Sequence, residues 1–342
     1  MLQINNNTPF SVELHPCSDI YGRDYAVIVI KATYQIDYSK SQLVIANEQA
    51  PIQHADHFYN EPGQSSVKYP SDISLVKQAT DVLVIGHAYV PNQHTARVLD
   101  ITLSIDNFKK TIRIFGDRVW QKDLANWTMS VPTEFTIMPL CYENSYGGKS
   151  PNINQNMAPE SVEAYRYNPF GKGFVGKKDK PYEGMPLPNI EDPSCLLMTP
   201  FQHPTPAGFG AIARDWEPRL TFSGTYDEQW QAERMPLLPL DFHPAFFNSA
   251  HPELMIQPLL KGGEQVSINN MSPTMGDYSF IVPNIKLSVA VSIRKQEKTF
   301  IAQMDTLLIE PDENRVIVTY RVAVPCTRKL LYIDSITVNR LS

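Results

Sequence analysis

Cysteine is scarce, and Cys17, Cys141, Cys195 and Cys326 form no C-x-x-C pair. Such spacing argues against a disulfide framework or a cysteine zinc site and fits thiols in a reducing cytoplasm. No apolar run approaches membrane-spanning length, so no membrane partner is expected. The start, Met1-Leu2-Gln3-Ile4-Asn5-Asn6-Asn7, has neither a basic stretch nor an apolar core, and we expect no secretory signal. There is no excess of positive charge either. The net charge is -6, and a nucleic-acid partner needs a basic footprint that these totals do not supply. Lys172, Lys177, Lys178 and Lys180 come nearest to one, and we read them as a solvated loop. Also missing are H-E-x-x-H, G-x-S-x-G, a P-loop and a Cys–His signature, so no catalytic residue and no cofactor is assigned.

What is present is mainly β. Ala26 to Ile30 and Val82 to Ile85 are continuous apolar runs, as in strands covered on both faces. A hairpin from Val98 to Phe115 turns at Asp106-Asn107 and sets Ile101 opposite Ile112, Thr102 opposite Thr111 and Asp100 opposite Arg113. From Ile285 to Arg294 apolar and polar residues alternate, the pattern of a half-buried antiparallel strand. A last hairpin at Pro311-Asp312-Glu313-Asn314 sets Glu310 against Arg315 and Thr306 against Thr319. We therefore expect an antiparallel β-sandwich or barrel-like scaffold, read as a β-rich region over 1–130, a loop-rich region over 131–265 and closing strands over 266–342 that can complete the first sheet.

The middle region differs in composition. Of 28 prolines, 20 lie between Pro132 and Pro283, which disfavours helices and central strands there. The aromatic content argues that these loops are ordered. One short helix is expected from Asp227 to Arg234.

Gly171-Lys172-Gly173-Phe174-Val175-Gly176 matches G-x-G-x-x-G, but Asn168-Pro169 precedes it and a polar segment follows it. A dinucleotide fingerprint needs a strand before the glycines and a helix after them. We read a turn, its glycines free for positive φ and Asn168 bonded to the backbone beyond the proline. His54-Ala55-Asp56-His57 could edge a metal, yet the sequence names no further ligands and no metal site is assigned. Glu191, Asp192, Asp215, Glu217, Asp227, Glu228 and Asp241 gather with Trp216 and Trp230, the best case for a glycosidase-like hydrolase. The plainer reading is salt bridges and loop caps around buried tryptophans. In Asp241-Phe242-His243-Pro244-Ala245-Phe246-Phe247-Asn248 we expect Phe242 in the core and at least one of Phe246 and Phe247 facing a partner.

Taken in order, Asn5-Asn6-Asn7-Thr8-Pro9-Phe10, Gly116-Asp117-Arg118-Val119-Trp120, Asn168-Pro169-Phe170-Gly171-Lys172-Gly173-Phe174, Leu187-Pro188-Asn189-Ile190-Glu191, Pro206-Ala207-Gly208-Phe209-Gly210, Gly224-Thr225-Tyr226-Asp227-Glu228-Gln229-Trp230 and Leu237-Leu238-Pro239-Leu240-Asp241-Phe242 resemble the bacterial domain-of-unknown-function twenty-one sixty-nine family. The chain departs from its pattern at Cys141, Asn144 and Tyr320, and in an insertion from Ser150 to Pro159. Members accompany type VI secretion genes, and the resemblance implies a non-catalytic cytoplasmic adaptor that binds a secretion effector and helps load it onto the spike protein. The residues expected to bind a partner or organise the loops are Asn168, Pro169, Gly171, Gly173, Asn189, Glu191, Trp216, Arg219, Asp227, Trp230, Asp241, Phe246 and Phe247. The alternatives are a carbohydrate-active or other hydrolase using the central carboxylates, and a structural component of the secretion assembly.

Overall fold

The computed structural model describes residues 4–124, 126–151, 162–326 and 330–341. The chain is mainly β, with several antiparallel sheets and no helical bundle. The largest sheet has seven strands, in the order Met255–Ile256, Thr80–Val84, Gln303–Glu310, Arg315–Pro325, Asp24–Asp37 and Ser11–Ser18, with Gln42–Ile45 also pairing Asp24–Asp37. Strands from both ends of the chain thus lie side by side. Ala26 to Ile30 at its centre have no exposed surface, because loops and a second layer cover both faces. Burying each such Val or Ile side chain contributes about 1.5–3 kcal/mol.

A five-stranded sheet runs Ile190–Glu191, Phe108–Phe115, Val98–Ile105, Gln265–Asn269 and Asp277–Ile281, and a four-stranded one runs Ile4–Asn6, Ile333–Leu341, Lys286–Ile293 and Gln296–Ile301. Both expected hairpins form in the expected register: Ile101 faces Ile112 and Asp100 faces Arg113, while Glu310 faces Arg315 and Thr306 faces Thr319. Two strand pairs within these sheets are parallel, Thr80–Val84 with Gln303–Glu310 and Ile4–Asn6 with Ile333–Leu341. One hydrophobic core joins all three sheets to central-loop residues such as Tyr142, Phe209 and Trp216.

Buried ion pairs pin the segment after Ser71 onto the large sheet. Lys31 Nζ lies 2.6 Å from Asp72 and Lys77 Nζ 2.8 Å from Asp81, while Arg321, paired with Asp305 on the neighbouring strand, donates from Nη1 to the Asp72 carbonyl at 2.7 Å. Burial opposes ionisation of Asp81, yet Lys77, Ser249 and Asn248 hold its carboxyl below the usual carboxylate range.

Candidate functional site

The central loops rest on their own satellite core of Trp120, Tyr146, Phe174, Val175, Met185, Leu187 and Leu197. That core explains how a proline-rich segment poor in regular structure is held in place. Asn168 sits above it with no exposed surface. Its Nδ2 donates to the carbonyls of Tyr142 (2.7 Å) and Tyr146 (3.0 Å), and its Oδ1 accepts from Phe170 N (3.3 Å), bonding beyond Pro169. Pro169 is half-buried.

The two glycines act differently. Gly173 takes a φ of +94°, the left-handed region that favours glycine. Gly171 does not have positive φ; it is needed because a Cβ there would lie 2.5 Å from both Asn168 Nδ2 and the Ser145 carbonyl. Lys172–Gly173 pairs in parallel with Tyr146–Gly147, and no helix follows among the described residues up to Glu191, so the N-terminus that would hold a pyrophosphate is missing. Residues 152–159 of the insertion lie outside the described residues.

Lys172 is not part of a solvated basic loop. It is half-buried, and its ammonium donates to Asn189 Oδ1 (2.7 Å) and Asn144 Oδ1 (3.0 Å). Charge-assisted bonds to these two amide oxygens offset the water that the half-buried ammonium gives up. Asn189 continues the network through Nδ2 to the Phe115 carbonyl (3.1 Å) and Asp117 (3.0 Å). Next to it, buried Glu191 bonds Arg118 through one oxygen and takes Leu197 N at 2.7 Å through the other. Burial pushes the Glu191 carboxyl above its usual value, against the pull of Arg118. The Arg118 guanidinium also stacks 3.6 Å from the Phe115 ring centre. Trp216 is buried and touches the rings of Tyr142 and Phe170, so the cassettes around Asn168, Asn189 and Trp216 meet in one organising cluster.

The remaining predicted residues form a second group over 219–248. Arg219 is buried, donates to the carbonyls of Phe246 (2.8 Å) and Ile212 (2.9 Å), and is lowered by burial to about 10. Asp227 caps the helix Glu228–Glu233 by accepting from Trp230 N at 2.8 Å. Trp230 Nε1 donates to the Leu237 carbonyl at 2.8 Å and its ring meets Tyr226 edge-on. Asp241 accepts from Thr225 N (3.0 Å) and Oγ1 (2.7 Å), which holds its carboxyl below the usual range. Phe242 is buried at 8% exposure, while Phe246 and Phe247 are half-buried and pack on its ring.

The sequence did not show which side chains here face water. Tyr226 (52%), Met235 (61%) and Leu240 (64%) are exposed, and so is Tyr21 (66%) on a neighbouring turn. That turn is docked by Arg234, which donates to the Ile20 carbonyl, and by Leu237, which closes on Gly22. A segment with bonded caps thus presents large apolar groups to solvent.

The histidines gather differently from their order in the chain. His54 meets Glu13 and His15, all three ligating atoms lying within 4.8 Å of one another, and His57 is not among them. Elsewhere the chain matches the family model described as an uncharacterized protein conserved in bacteria (DUF2169), over residues 21–321. The chain belongs to that family. No curated protein and no solved structure matches it significantly. Among the described residues no helix is long and apolar enough to cross a membrane. The departures from the family pattern fit the DUF2169 scaffold locally: Asn144 accepts from Lys172 and donates to the Pro139 carbonyl at 3.0 Å, and Tyr320 is buried beside Tyr34.

Proposed function

We propose that this protein is a non-catalytic cytoplasmic adaptor that binds a type VI secretion effector and helps seat it on the spike. The observation that carries the reading is the 219–248 segment, where Tyr226, Met235 and Leu240 stand exposed on a backbone fixed by Asp227, Trp230, Arg234 and Asp241. Exposed aromatic and aliphatic groups on a pre-ordered surface are what a protein partner selects, because little ordering entropy is lost on association. The class of partner rests on the resemblance of the ordered cassettes to a family found with type VI secretion genes.

Glu191, Asp227, Asp241 and Glu217, four of the carboxylates that would serve a hydrolase, are engaged locally. Glu191 is tied to Arg118 and Leu197, Asp227 caps a helix, Asp241 holds Thr225, and Glu217 accepts from Thr221 Oγ1 at 2.5 Å. These bonds favour a loop-organising role over a pair flanking a sugar. Affinity purification of the chain from its native host, with identification of what accompanies it, tests the proposal. An effector and the spike protein are expected; a stable complex confined to sheath or baseplate components would instead support a structural part of the assembly.

A further inference from the structure

We propose that Glu13, His15 and His54 form a site for one zinc-class divalent transition ion that clamps the outer strand of the large sheet to the loop covering it. Glu13 and His15 stand two residues apart on Ser11–Ser18, so both point to the same face, and this strand is the last of its sheet. His54 comes from the covering loop. Its backbone is held there by Ser71 Oγ, which donates to the His54 carbonyl at 3.2 Å, and by Gln53 N, which donates to Asp72 at 2.8 Å. The ring is 66% exposed, but its root is fixed.

The donor geometry is close to that of a bound ion. Glu13 Oε2 lies 3.4 Å from His15 Nε2 and 2.7 Å from His54 Nε2. A tetrahedral zinc with ligands at about 2.0–2.2 Å separates neighbouring donors by about 3.3–3.6 Å, so the Glu13–His15 spacing already fits, the His54–Glu13 contact has to open by under about 1 Å, and all three donors start within 4.8 Å of one another. His15 Nε2 is the second indication. It is closed off from solvent and makes no hydrogen bond, although Glu13 Oε2 stands 3.4 Å away, and a metal would give it a partner. Two imidazoles and one carboxylate suit zinc, nickel, cobalt or copper and not magnesium, which takes oxygen donors. With three protein ligands, water completes the shell. The physical effect is to tie down an open sheet edge, where unpaired backbone groups invite other strands.

The test is calorimetric titration of Zn2+ into the full-length protein after treatment with a chelator, with Mg2+ as the control and melting curves alongside. One Zn2+ per chain is expected, in the micromolar range or tighter, with a rise in melting temperature. His54→Ala changes an exposed group and Glu13→Gln keeps the size of a half-buried one, so each should melt like the wild type in chelator yet bind Zn2+ at least tenfold more weakly, while His57→Ala should bind as the wild type does. Absence of saturable Zn2+ binding, binding that survives both ligand variants, loss of binding in His57→Ala, or equal binding of Mg2+ would each overturn the proposal.

Discussion

Replacing Asn168 by alanine should loosen the whole central platform, although the residue has no exposed surface. The substitution deletes two donated bonds, to Tyr142 and Tyr146, and one accepted from Phe170. Each bond is worth about 0.5–1.5 kcal/mol net, and a buried group left unpaired costs about 1–3 kcal/mol. The Tyr142 carbonyl still accepts from Ser145 N at 3.0 Å, so the cost of an unpaired group falls on the Tyr146 carbonyl, and the loss should total about 2–4 kcal/mol. Asn168→Asp makes the argument sharper. It keeps the volume and one acceptor oxygen but turns the other oxygen against two carbonyls, so it should destabilise at least as much as alanine. Denaturant melts followed by tryptophan fluorescence would report both variants, because Trp216 touches the ring of Phe170. A loss below about 0.5 kcal/mol for Asn168→Ala would refute the view that this amide organises the loops.

Three further outcomes follow from the same structure. Burial lowers His251 to about 4, with Lys110 adding to the effect, so the unfolded chain takes up a proton there before the folded one does. Stability should be full above about pH 6.5 and fall as pH drops toward 4, and His251→Asn, which can keep the cap on Glu253 N, should flatten that part of a melting-temperature profile. Phe242→Ala should cost about 3–5 kcal/mol of folding stability, whereas Phe246→Ala and Phe247→Ala, half-buried, should cost clearly less in the same denaturant series. Gly171→Ala should shift the melt downward because its methyl would meet the Ser145 carbonyl at 2.5 Å, and neither variant nor wild type should bind a nicotinamide dinucleotide by titration.

The parts of this fold that could be read from sequence are those set by near neighbours. The Val98–Phe115 hairpin follows from apolar and polar residues matching across a tight turn, and Asp106 takes the positive φ of +47° that such a turn requires. The Asp227 cap was equally local. Parallel pairing of Thr80–Val84 with Gln303–Glu310 joins distant segments whose apolar patterns name no partner. Lys172 was misread for a related reason: a lysine in a run with Lys177, Lys178 and Lys180 looks solvated until the fold brings Asn144 and Asn189 to it. His54 looks like a partner for His57 by spacing, yet the loop carries it to Glu13 and His15, whose alternate positions on one strand were the available sign. Exposure of Met235 and Leu240 was beyond composition altogether, since apolar residues beside prolines suit a core as well as a surface.

The adaptor reading is tested most directly by titrating the purified protein with the effector encoded beside it, comparing the wild type with a Tyr226→Ala, Leu240→Asp double variant. Both positions are exposed, so the melting temperature should stay nearly unchanged while binding weakens by about 2 kcal/mol or more. Equal binding by wild type and variant would contradict the proposed surface, and absence of any complex with the effector would contradict the adaptor function itself.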